Sequence, residues 1–291
     1  MAVLLGTGVL AAQRPLRSSI ELTVVTATVR DAEGKLVEGL PKEAFEVYED
    51  GEPLPISAFT NDRVPLGVGL LLDISDSMFG RRIKDAEAAA ERFLLHLLPS
   101  TDAFFMIAFN HETRLLFGWK TEANGVHDAL ERLKPTGSTA IYDAVMAAMP
   151  YIENRPRERG ALVLITDGAD TASDMTMHDL RPALVRSDAF IYAIAIDTPE
   201  PQPIAQRVNL ETLNEITSQS GGHTEVVRDT AALDTATASI AEELNHQYVL
   251  GYASKHPGDG QYHSIRVKVD RPGYKVRARA GYVARKASMK D

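Results

Sequence analysis

The sequence predicts an α/β protein: a doubly wound, mostly parallel sheet inserted in a small β-sandwich formed by the N- and C-terminal segments. Three observations predict it. Between residues 64 and 246, apolar runs alternate with amphipathic helical stretches, the pattern of a parallel sheet covered by helices. Residues 18–62 and 247–285 alternate apolar and polar side chains at period two, as strands with one wet face do. Two of the most apolar runs, "LGVGLLLD" and "ALVLITD", stop abruptly at aspartate. A chain of 291 residues has ample length for these units.

The elements follow in order. Residues 1–15, "MAVLLGTGVLAAQRP", read as a signal-peptide remnant: apolar, ending in small residues, and lacking the usual positive start. On that reading the mature protein is extracytoplasmic, secreted or periplasmic. "IELTVVTATVRD" and "AFEVYEDGEPLPISAF" supply the first half of the sandwich, with "EDGEP" as a turn. Strand 66–73, helix 80–98, strand 102–109 and strand 113–118 come next; the short connection between the last two makes 113–118 an antiparallel edge. Helical stretches at 123–133 and 139–153 lead to strand 160–166. Helix 174–187, strand 189–196, helix 209–219, strand 222–227 and helix 229–246 complete the middle, with "SQSGG" as a glycine helix stop. The last helix runs straight into "QYVLGY", so a shift of that helix would reach the sandwich.

Composition removes several function classes. There is no cysteine, which excludes disulfides, thiolate zinc sites, Fe–S clusters and cysteine nucleophiles. The net charge of −9 is uneven: ten Lys/Arg against three Asp/Glu from His246 onward give +7, leaving −16 for the rest. Those basic residues alternate with apolar ones and carry no interleaved stacking aromatics, so they read as a solvated strand face, with no nucleic-acid partner. No stretch reaches the roughly 18–20 apolar residues of a transmembrane segment. P-loop, G-x-G-x-x-G and H-E-x-x-H patterns are absent.

The chemistry gathers at strand ends. Open α/β sheets bind ligands at the carboxyl ends of their strands, where strand order reverses. Asp73 and Asp167 follow the two apolar runs, which are therefore expected to be central and adjacent. Asp73, Ser75 and Ser77 alternate in "DISDS", and a tight loop turns every second oxygen toward one point. Thr139, in "PTGSTAIYDAV", starts a helix. These five residues form an all-oxygen set suited to a hard cation, Mg²⁺ above all, with Mn²⁺ or Ca²⁺ as substitutes. Three hydroxyls and at most two carboxylates leave a position for water or for a partner's anionic oxygen. Taken singly, Ser75, Ser77 and Thr139 also suit helix caps and Asp167–Gly168 a turn. Asp170 reads as a turn residue. His111 is the one histidine to consider for acid–base work, and Tyr248 and Tyr252 read as sandwich core or edge.

At these residues the chain resembles the von Willebrand factor type A (VWA) family, whose metal-ion-dependent adhesion site is D-x-S-x-S followed by a distant Thr and a distant Asp. "DISDS", "GSTA" and "ITDGAD" match it in order. The resemblance implies that Asp73, Ser75, Ser77, Thr139 and Asp167 hold a divalent metal directly or through water. Asp76 departs from the pattern, standing where glycine is common. The flanks, "VEGLPKEAFEVYEDGEPLPISAF" and "QYVLGYASKHPGDGQYHSIRVKV", are similar to those of a bacterial group of VWA-related proteins.

The expected function is a divalent-cation-dependent protein-binding or adhesion module, not an enzyme, that recognises a partner's carboxylate. A metal-assisted phosphohydrolase and a structural cell-envelope component with a fold-stabilising metal are the alternatives. No feature of the sequence sets an oligomeric state.

Overall fold

The computed structural model describes residues 22–197 and 208–284; the signal-peptide reading of 1–15 lies outside the described residues. Its centre is a six-stranded sheet. β5 (Leu66–Asp73) pairs in parallel with β6 (Ala103–Phe109) on one side and with β8 (Arg159–Thr166) on the other. Outside β6 lies the antiparallel β7 (Thr113–Lys120); outside β8 lie the parallel β9 (Phe190–Ile196) and β10 (Thr224–Val227). The chain thus winds outward from β5 one way, then returns to wind the other, and strand order reverses between β5 and β8. Asp73 and Asp167 stand at that reversal, as their flanking apolar runs imply.

Every residue of β5 is buried, because both faces of the sheet are covered. Leu66, Val68, Leu70 and Leu72 point to the side packed by α1 (Arg81–Arg92) and α6 (Thr230–Asn245), with α2 (Val126–Glu131) at its edge. Leu71 points to the other side, under α3 (Ile141–Glu153), α4 (Met177–Arg186) and α5 (Leu210–Ser218). Each fully buried leucine contributes about 2 kcal/mol by leaving water. Gly69 faces α3 too, and a Cβ there would lie 2.3 Å from Phe105 Cζ and 2.5 Å from Leu162 Cδ2. Glycine at this position lets the Phe105 ring lie flat against the strand.

Two helices are shorter than the sequence implies by five residues or more. α1 ends at Arg92 and the chain continues as a wide π turn, Phe93–Leu97, that keeps Phe93 and Leu94 buried. α2 begins only after Gly125, whose φ of 79° no L-residue adopts easily.

The flanking segments interleave into two four-stranded sheets. One orders β13 (Lys275–Ala278), β1 (Leu22–Arg30), β11 (Tyr248–Ala253) and β4 (Ile56–Thr60). The other orders β14 (Gly281–Val283), β12 (Tyr262–Val269), β2 (Phe45–Glu49) and β3 (Glu52–Leu54). Asp50 and Gly51, with φ of 50° and 85°, make the two-residue turn between β2 and β3 that the Asp-Gly pair predicts. "YKVRARAGYV" forms two strands: β13 pairs with β1, then the chain crosses at residues 279–280 so that β14 pairs with β12. Tyr248 and Tyr252 are core residues, and the Tyr248 ring packs 4.7 Å from that of Phe45.

Candidate metal centre

The site is built by three loops at the carboxyl ends of β5 and β8. Asp73 closes β5 and is fully buried; its Oδ1 accepts the Ser75 N–H at 2.8 Å, folding the chain back at once. Its Oδ2 accepts the Thr166 hydroxyl at 2.6 Å, tying the ends of the two adjacent strands. Ser75 Oγ and Ser77 Oγ lie 3.0 Å apart, and the Ser77 hydroxyl donates to Asp167 Oδ1 at 2.6 Å. A Cβ built on Gly168 would sit 3.3 Å from Thr139 Oγ1 and 3.8 Å from Ser77 Oγ, so both hydroxyls border Gly168. Hydrogen bonds chain Asp73, Ser75, Ser77 and Asp167 together, and Thr139 flanks them across Gly168.

Backbone bonds lock the loops together. Asp76 N–H donates to Gly137 O at 2.8 Å and Thr136 N–H to Ile74 O at 2.9 Å, joining the first loop to the second. Thr171 and Ala172 N–H both donate to Thr139 O, at 2.8 and 3.0 Å, joining the second to the third. Asp170 accepts from Tyr142 N–H at 3.0 Å and from the Ser173 hydroxyl at 2.6 Å, so it caps α3 rather than entering the oxygen cluster. His111 packs over Gly137, with its Nδ1 2.2 Å from where a Cβ would be.

The centre is recessed and rich in negative charge. Asp73, Ser75, Thr139 and Asp167 are buried, and Ser77 is half-buried. Burial raises the Asp73 carboxyl to about 7, with the Asp167 charge adding to the effect and the bonds from Thr166 and Ser75 opposing it. Two residues absent from the sequence reading complete the arrangement. Thr166 is the strand-end hydroxyl on Asp73, and nothing in "LVLIT" distinguishes it from a strand residue. Arg82, itself buried, lies 3.3 Å from Asp167 Oδ2 and donates to Ser77 O at 2.8 Å. A signal for it existed: "RR" opens α1, where the helix dipole favours acids over bases.

Residues 68–169 match the family model of the von Willebrand factor type A domain. Inter-alpha-trypsin inhibitor heavy chain H2 of Sus scrofa is 26% identical over 133 residues, 41% of this chain but 14% of that protein. Two solved structures share the fold: von Willebrand factor type A from Catenulispora acidiphila (TM-score 0.53, 14% identity, covering 94% of this chain and 76% of that one) and the vWF domain of the type V pili tip protein Mfa5 from Porphyromonas gingivalis (TM-score 0.50, 15% identity, 63% and 96%). The six-stranded sheet and its helices share the fold of the von Willebrand factor type A domains, and the family match falls on residues 68–169, within that part of the chain.

Proposed function

We propose that the protein is a binding module that holds a divalent cation, Mg²⁺ first and Mn²⁺ or Ca²⁺ in its place, and uses it to recognise an acidic group on a protein partner outside the cytoplasm. One observation carries this reading: two buried carboxylates and three hydroxyls converge at the strand-order reversal. The donor set is all oxygen, as a hard cation requires. Arg82 offsets one of the two carboxylate charges, and a cation would offset the rest. Asp73, Ser75, Ser77, Thr139 and Asp167 would hold it, and bound there it would supply a positive centre with a coordination position for a partner carboxylate. Ser77, half-buried, marks the side of approach; Asp76 and Phe79 beside it are exposed, Phe79 by 77%. One fold relative is the vWF domain of a pili tip protein, in keeping with an adhesive role.

Two experiments test it. Titration calorimetry of Mg²⁺ and Mn²⁺ into wild type and Asp73→Ala should give binding to the first alone; equal binding by both removes the proposal. An array of acidic and amidated peptides, probed in Mg²⁺ and in EDTA, should capture protein only on acidic spots in Mg²⁺. Metal binding without such capture assigns the cation to fold stability, and Mg²⁺-dependent turnover of phosphate esters, lost in Asp167→Ala, assigns the site to an enzyme.

A further inference from the structure

The sandwich holds a second group of metal-ligating side chains, on a different sheet from the strand ends that build the first. Asp50 lies in the β2–β3 turn, His256 and Asp259 in the loop between β11 and β12, and His263 on β12. Asp50, His256 and His263 each offer one ligand atom, and these atoms lie within 4.8 Å of one another.

The surrounding bonds orient the set. His263 is 5% exposed, and its two ring nitrogens have different partners. Nε2 faces the Asp259 carboxylate, 3.1 Å from each oxygen, while Nδ1 faces Asp50 Oδ2 at 2.7 Å. Nδ1, 2.7 Å from a carboxylate oxygen, carries a proton in the metal-free fold, so an ion entering between Nδ1 and Asp50 Oδ2 displaces that proton while Asp259 on Nε2 orients the ring, as carboxylates do behind metal-bound histidines. Asp50 is oriented in the same way: its Oδ1 accepts the Ser264 N–H at 2.8 Å and the Ser264 hydroxyl at 3.2 Å, leaving Oδ2 directed at His263. The His256 ring lies parallel to that of His263, at a centroid distance of 4.6 Å and an interplanar angle of 9°. His256 is otherwise exposed, and one of its ring nitrogens already lies within 4.8 Å of the Asp50 and His263 ligand atoms.

We propose that Asp50, His256 and His263 form a second divalent-metal site, selective for a Zn²⁺-class ion, with Asp259 and Ser264 as orienting partners. Two imidazoles and one carboxylate are softer than the all-oxygen cluster and suit zinc in a three-ligand site completed by water. Such an ion joins the β2–β3 turn, the β11–β12 loop and β12, cross-linking the sheet strand by strand where no disulfide is possible.

The test is calorimetric titration of Zn²⁺ into the full chain, in excess Mg²⁺ and again in Asp73→Ala, so that the first centre does not contribute. One equivalent is expected in both. Adding His256→Ala, at an exposed position, should leave the circular-dichroism spectrum unchanged and remove that equivalent, and Asp259→Asn should weaken it about 10- to 100-fold. Zn²⁺ should also raise the melting temperature of Asp73→Ala but not of the double variant. No Zn²⁺ binding in excess Mg²⁺, or binding unchanged by His256→Ala, would overturn the proposal.

Discussion

Tyr192 donates its hydroxyl to Glu243 Oε1 at 2.9 Å, joining β9 to α6 in a fully buried bond. The other carboxylate oxygen of Glu243 is ion-paired with Arg30 of β1, at 2.7 Å, and with Arg277 of β13. Gln247 Nε2 donates to the same tyrosine at 3.3 Å and to Thr28 Oγ1 at 3.4 Å. One buried carboxylate on the last helix therefore fastens the central domain to the sandwich. Burial and the Glu243 charge hold the Tyr192 phenol well above its ordinary range, so it stays a donor.

Glu243→Gln should be strongly destabilising. It leaves two arginines facing a neutral amide, and breaking a buried pair costs about 3–5 kcal/mol. The arginine side chains are 22% and 29% exposed, so water recovers part of this and about 2–3 kcal/mol is expected. Urea unfolding measures it, and a midpoint equal to wild type would remove the assignment.

The same carboxylate predicts communication between the two parts. Amide exchange across 229–252 should change when Mg²⁺ and an acidic ligand are added, and in Glu243→Gln the change should stop at α6 without reaching β11. Identical exchange with and without ligand would show that the helix is not displaced.

Arg82 neutralises one of two neighbouring buried carboxylates. Arg82→Met should lower the melting temperature in EDTA, because Asp167 then faces Asp73 without its cation. Mg²⁺ should recover most of the deficit, giving a larger metal-induced shift than in wild type. A shift no larger than wild type's would mean that the guanidinium contributes packing alone.

The Asp73 carboxyl sets a pH dependence. Its pKa in the metal-free fold, about 7, exceeds the ordinary aspartate value of about 3.9, so the folded state holds this proton more tightly than the unfolded chain does. Stability from this group is full below the unfolded value and is lost as pH rises toward 7. A bound cation requires the ionised form, so the Mg²⁺-induced rise in melting temperature should grow between about pH 5 and about pH 8. Melting curves with EDTA and with Mg²⁺ across that range decide it; a constant increment contradicts it.

Gly69→Ala should destabilise the protein by about 1–3 kcal/mol, since its methyl overlaps Phe105 and Leu162 in a packed core. Chemical unfolding provides the number, and a neutral result would require the Phe105 ring to move freely.

Much of this was legible in the chain because it depends on local pattern. Asp73, Ser75 and Ser77 are close in sequence, and the apolar runs before Asp73 and Asp167 mark central strands by composition alone. Thr139 could be placed only through its order relative to the others. Glu243 was invisible for a different reason: on a helix of alternating small and apolar residues it looks like an ordinary solvated acid, and its partners lie in strands distant in sequence. The crossing between β13 and β14 was equally hidden, since an alternating run reads alike whether its pairing partner stays the same or changes. The Asp50, His256 and His263 grouping has no motif spacing and emerges only when the turn and the loop meet.

The interleaving of β1 with β11 and β13, and of β2 with β12, sets the order in which the molecule can be made. A ribosome delivers β1 to β4 long before any of those partners exists, so the early strands wait with open edges while the central domain folds between them. The sandwich can therefore close only once residues 248–283 are present, and until then β1 to β4 lack the strands that cover them.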